Sequence, residues 1–73
     1  MDRTTLKQLL QEADTLLWRG ELGIANQREI IAALERRGED ASAEKMRLRR
    51  LESRHARHIA DRNRLFKQLT DRS

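Results

Sequence analysis

One unbroken apolar ribbon at helical spacing limits what this chain can fold into more than any other feature. Leu6, Leu10, Ala13, Leu17, Gly20, Ile24, Gln27, Ile31 and Leu34 follow one another at alternating steps of 4 and 3 residues. That is the heptad seam of a helix packed lengthwise on another helix. With Leu10, Leu17, Ile24 and Ile31 at a, the residues Leu6, Ala13, Gly20, Gln27 and Leu34 occupy d. Leu9, Leu16 and Ile30 fall at g and widen the stripe beyond what a single neighbour covers. Gly20 and Gly23 each cost roughly 1 kcal/mol against Ala inside a helix. A break there would reset the phase, yet the phase holds from Leu6 to Leu34. The spacing therefore predicts one continuous helix over about 4–37. In it, Gly20 sits in the seam, where a missing side chain lets another helix come close.

Local signals mark the ends of this helix and the start of a second. Thr5 with Gln8 three residues on fits a capping box. Arg36 and Arg37 followed by Gly38 place basic residues in the last turn and a glycine just past it. Glu39 to Ser42 is a short polar turn in which Asp40 or Ser42 can cap the next helix, and Glu44 lies favourably near its positive end. From Ala41 to Ser73 there is neither Gly nor Pro. Leu48, Leu51, His55, His58, Arg62, Leu65 and Leu69 continue the pattern, flanked by Ile59 and Phe66, which predicts a second helix over about 41–70. At 1.5 Å per residue both helices are on the order of 45–50 Å long. Two such helices joined by a few residues fold back antiparallel. The fold class is all-α: a single helical-hairpin domain over residues 1–73 with a turn at 38–41. A fold-back centred near 39–40 sets Ala13 against Phe66, Gly20 against Ile59 and Leu10 against Leu69. It also gathers Gln27, Glu52 and His55, and sets Arg62 against Leu17.

A two-helix hairpin hides one narrow strip on each helix. Full burial contributes about 1.5–3 kcal/mol per aliphatic side chain, against roughly 1.5 kcal/mol of ordering entropy per residue. With 73 residues to order, one strip is too little. A second copy packed on the remaining apolar surface would complete a four-helix bundle, and two-fold homodimers are the commonest closed assembly. The residues expected to hold the copies together are Leu9, Leu16, Leu17, Ile24, Ile30, Leu51, Ile59, Leu65 and Phe66. Trp18 and Leu22 lie outside the main stripe and either extend that contact or anchor another protein.

Charge is unevenly placed. Residues 1–38 hold 6 basic and 6 acidic side chains, whereas residues 39–73 hold 10 basic and 6 acidic, so the second half carries the whole net charge of +4. Arg47, Arg50, Arg54, Arg57 and Arg64 share one stripe, interrupted by Asp61. Arg forks suit phosphate, so this ridge could lie along a nucleic-acid backbone. No aromatic side chains interleave it for stacking on bases. The alternative is a solvated face paired with acids of the neighbouring helix or of another protein.

The remaining chemistry is sparse. There is no Cys, hence no disulfide framework, thiolate metal site or thiol nucleophile. Glu52 and His55 form one Glu-x-x-His, the element that di-metal bundles use, but the inward acid that such a site needs from the first helix is replaced by Gln27. His55 and His58 are expected as interior or boundary residues bonded to Gln27 or Glu52. No Gly-rich phosphate loop and no nucleophile–base set is present, and a two-layer rod has no room for a deep pocket. The expectation is no enzyme, no cofactor, no metal and no small-molecule ligand. No apolar run approaches 18 residues, and Met1-Asp2-Arg3 opens straight into amphipathic sequence. Neither a membrane span nor a secretory signal is expected, which leaves the cytoplasm.

Two stretches, Ile24 to Gly38 and His58 to Leu69, resemble a group of short bacterial helical-hairpin proteins with the same long-helix, Gly-turn, long-helix layout and no assigned function. The resemblance implies the hairpin and nothing about activity. In shape alone the chain is also similar to the small RNA-binding hairpins of plasmid copy control, which dimerise into four-helix bundles.

Overall fold

The computed structural model describes residues 2–71 and contains two helices, α1 (Arg3–Arg36) and α2 (Ser42–Asp71). They pack antiparallel into a rod of 55 × 14 × 13 Å. Its radius of gyration is 16.6 Å, against about 11 Å for a compact chain of this length.

α1 runs through Gly20 and Gly23 without a break, as the constant phase of its ribbon requires. Every position of that ribbon is buried or half-buried, with Leu6, Ala13, Ile24, Gln27 and Ile31 buried. The helix starts one residue earlier than expected and uses a different cap. Asp2, not Thr5, is the N-cap, and its carboxylate accepts a 2.7 Å hydrogen bond from the Thr5 N–H. A carboxylate at the positive end of a helix gains from the helix dipole as well as from the hydrogen bond. The same bond holds the Asp2 carboxyl below its ordinary pKa.

The chain reverses at Gly38, whose φ of +72° is a left-handed conformation open to glycine at little cost. The Glu39 N–H donates to the Leu34 carbonyl at 2.9 Å and the Gly38 N–H to that of Glu35 at 3.0 Å. These two bonds form a Schellman motif. Asp40 then accepts from both the backbone N–H (3.0 Å) and the hydroxyl (2.6 Å) of Ser42, at the start of α2. The hydroxyl bond, with the backbone bond second, lowers the Asp40 pKa.

The half-buried residues of α2 are Glu44, Leu48, Leu51, His55, His58, Arg62, Leu65 and Leu69, the expected stripe extended one turn back to Glu44. The pair at Gly20 differs from expectation. Gly20 meets His55 rather than Ile59, one helical turn nearer the loop. The cause is the Schellman turn: the chain folds back about Gly38, and residues 39–41 are used up running along to α2. The cluster of Gln27, Glu52 and His55 does not form either. Gln27 bonds Glu44, Glu52 bonds Arg28, and His55 lies on Gly20.

Candidate functional site

The hairpin has two unlike flanks, and helix geometry decides what each carries. Residues seven apart lie in one line along a helix packed in this way. On α1, one line is Leu9, Leu16, Gly23 and Ile30; the line across the seam is Asp14, Glu21, Arg28 and Glu35. On α2, Lys45, Glu52, Ile59 and Phe66 form one line, and Arg47, Arg54, Asp61 and Gln68 the other.

Ion pairs join two of these lines and so define a polar flank. Arg28 meets Glu52 at 3.2 Å, Lys45 meets Glu35 at 3.2 Å, and Arg62 reaches Asp14 at 2.9 Å. The Arg62 guanidinium also sits 5.1 Å from the centre of the Phe66 ring. These pairs are largely exposed and contribute about 0–1 kcal/mol each. Their structural effect is to line one side of the seam with charge. A shallow groove there is walled by Arg28, Glu35, Lys45, Arg49 and Glu52.

The opposite flank is apolar on α1 and basic on α2. Between the helices runs a groove of about 220 Å³, lined by Leu16, Arg19, Gly20, Gly23, Leu51, Arg54, His55 and His58. Its floor is thin because two of its members lack side chains. At Gly20 the gap is filled from across the seam: a Cβ there would lie 2.6 Å from Nδ1 of His55. This contact buries Nδ1 with no hydrogen-bond partner among the described residues. His55 therefore acts as packing, and neither Gln27 nor Glu52 bonds it. At Gly23 nothing comes within 4 Å of the same position.

Near the loop, Gln27 is the one buried polar side chain among the described residues. Its amide donates to the Glu44 backbone carbonyl at 3.0 Å and, in a shorter contact, to the Glu44 carboxylate. This clamp crosses the seam where the heptad pattern offers no apolar d residue. The sequence showed Gln27 in the seam, but its partner depended on the register.

The residues expected to hold two copies together separate into three groups. Leu17, Ile24, Leu51 and Leu65 lie in the seam between the chain's own helices, Ile24 buried and the others half-buried. Leu9, Leu16 and Ile30 form the apolar flank, with Leu9 half-buried and Leu16 and Ile30 exposed at 45% and 43%. Ile59 and Phe66, also exposed, belong to the polar flank. Lys45 and Glu52 share the Ile59–Phe66 line and oppose Glu35 and Arg28 across the seam. Trp18 is 62% exposed and lies with Leu22 on the outside of α1.

The five arginines of the basic stripe are all exposed. Arg47 lies 4.0 Å from Glu44 and Arg64 lies 3.5 Å from Asp61, both within α2. Among the described residues no ion pair reaches Arg50, Arg54 or Arg57, and no acid of α1 reaches any of the five. No group of three or more His, Asp or Glu that could hold a metal ion occurs among the described residues. Among those residues, too, no helix is long and apolar enough to cross a membrane.

Comparison with known proteins adds no relative: no family model, curated protein or solved structure matches this chain.

Proposed function

We propose that the chain works as a homodimer, two hairpins forming a four-helix assembly that serves in the cytoplasm as a non-enzymatic structural or protein-interaction module. The observation that carries this reading is surplus surface. The hairpin exposes 5754 Å², whereas an ordinary folded monomer of its 8.6 kDa exposes about 4,700 Å². The excess of about 1,000 Å² is close to the ~800 Å² per partner of a standard interface. The core points the same way. α2 buries no residue completely, and of the larger described side chains only Leu6 is fully enclosed. Sedimentation equilibrium at micromolar concentration tests the reading. Twice the chain mass is expected, and a single-chain mass that persists into the millimolar range refutes it.

A second reading rests on the arginines that have no ion pair among the described residues. Arg50, Arg54 and Arg57, flanked by Arg47 and Arg64, form a ridge of roughly 25 Å along α2. Such a ridge could neutralise several phosphates of duplex DNA or structured RNA. Fluorescence anisotropy with both nucleic acids distinguishes the readings. Binding with a steep salt slope supports this one, and no binding at about 50 mM salt removes it.

A further inference from the structure

We propose that the second copy docks on the apolar flank of α1, antiparallel to it, with Leu16 of each copy seated over Gly23 of the other. This rests on the homodimer reading and names the face that it uses. The flank is self-complementary. Leu9, Leu16, Gly23 and Ile30 lie on one line at steps of seven. A two-fold axis between residues 19 and 20 brings Leu9 opposite Ile30 and Leu16 opposite Gly23. Large side chains meet at the two ends, and in the middle a large one meets an empty place, as a two-fold contact requires.

Gly23 is the residue that the hairpin alone does not explain. Gly20 makes room for His55, and Gly38 takes a left-handed conformation. Gly23 does neither. It has ordinary helical backbone, and apart from its chain neighbours and the adjacent backbone of its own helix no described atom comes within 4 Å of where a side chain would sit. Glycine is the poorest helix former after proline, so a mid-helix glycine with open space beside it loses stability for no internal gain. A socket for a leucine of the second copy accounts for it. The groove beside Gly20 and Gly23 supplies about 220 Å³ of room.

The other flank is a poor alternative. Docking there would desolvate the Arg28–Glu52, Lys45–Glu35 and Arg62–Asp14 pairs, and burying ion pairs costs more than their attraction commonly returns.

The test is the dimer dissociation constant, measured by sedimentation equilibrium with helicity followed by circular dichroism. Gly23→Leu fills the socket and is expected to weaken the dimer roughly 10- to 100-fold while helicity is retained. Leu16→Ala weakens it similarly, whereas Ile59→Ala and Phe66→Ala leave it within about twofold. The native chain has no Cys, so a cross-linking arm is clean. Chains carrying Leu16→Cys mixed with chains carrying Gly23→Cys should form a mixed disulfide dimer on mild oxidation, and this arm still reads if Gly23→Leu fails to fold. A dimer that ignores Gly23→Leu and Leu16→Ala but is weakened by Phe66→Ala overturns the docking face and leaves the homodimer standing. A wild-type chain that stays single overturns both.

Discussion

Replacing Gly20 by alanine probes the closest contact between the two helices, and its sign is set by two opposing terms. Alanine gains roughly 1 kcal/mol over glycine in a helix interior. Against this, the new methyl would sit 2.6 Å from Nδ1 and 3.3 Å from Cε1 of the His55 ring. The atoms in the way belong to a flat, half-buried ring in the seam, so α2 must shift or the ring must leave its rotamer. Overpacking of this kind costs about 1–3 kcal/mol. The net change is then a loss of about 0–2 kcal/mol. A double-mutant cycle with His55→Ala makes the outcome sharper. With the ring gone, the three nearest atoms to the methyl are removed, and Gly20→Ala should stabilise by about 1 kcal/mol. Between the two backgrounds, the effect of Gly20→Ala should differ by about 1–3 kcal/mol. Urea unfolding followed by circular dichroism reads all four proteins. They must share one protein concentration, because the proposed dimerisation would couple to stability. If Gly20→Ala stabilises equally with and without His55, the helices do not touch at this point and the register is wrong.

Two further outcomes follow from the same contacts. Gln27→Ala removes the buried amide that bonds both the carbonyl and the carboxylate of Glu44, and should lower urea stability by about 1–3 kcal/mol. An unchanged midpoint would show that water replaces the clamp without loss. Asp2 and Asp40 have folded-state pKa values held below the ordinary 3.8 by hydrogen bonds from Thr5 and Ser42. The unfolded chain therefore takes up their protons first as pH falls. Their stabilisation is present above pH 3.8 and is lost as pH drops through the folded-state values. Thermal melts between neutral pH and pH 2 should show that loss, and the double variant Asp2→Asn/Asp40→Asn should flatten it. An equally steep decline in the variant would assign the acid sensitivity to other carboxylates.

Much of the architecture is legible in local text. The constant phase from Leu6 to Leu34 overrode the two glycines and correctly implied one helix, since a kink would have cost the seam its alignment. The stop at Arg36-Arg37-Gly38 was readable because only glycine adopts a positive φ at little cost. The N-terminal cap was misplaced because Asp2 and Thr5 are both good caps, and only the backbone decides which carboxylate or hydroxyl meets a free N–H. The pair at Gly20 slipped by a turn, because the reversal point depends on how the loop spends residues 39–41.

The amino-acid sequence by itself determined that this chain is two long amphipathic helices with a glycine reversal between them, because periodicity and capping are properties of neighbours along the chain. Only the tertiary structure decided which side of the seam each flanking residue occupies. That choice divides Leu16 and Ile30 from Ile59 and Phe66, leaves Arg50, Arg54 and Arg57 without an ion pair among the described residues, and leaves open space beside Gly23. Flank assignment requires the handed, three-dimensional pairing of one helix with the other, and no spacing along a single helix contains it.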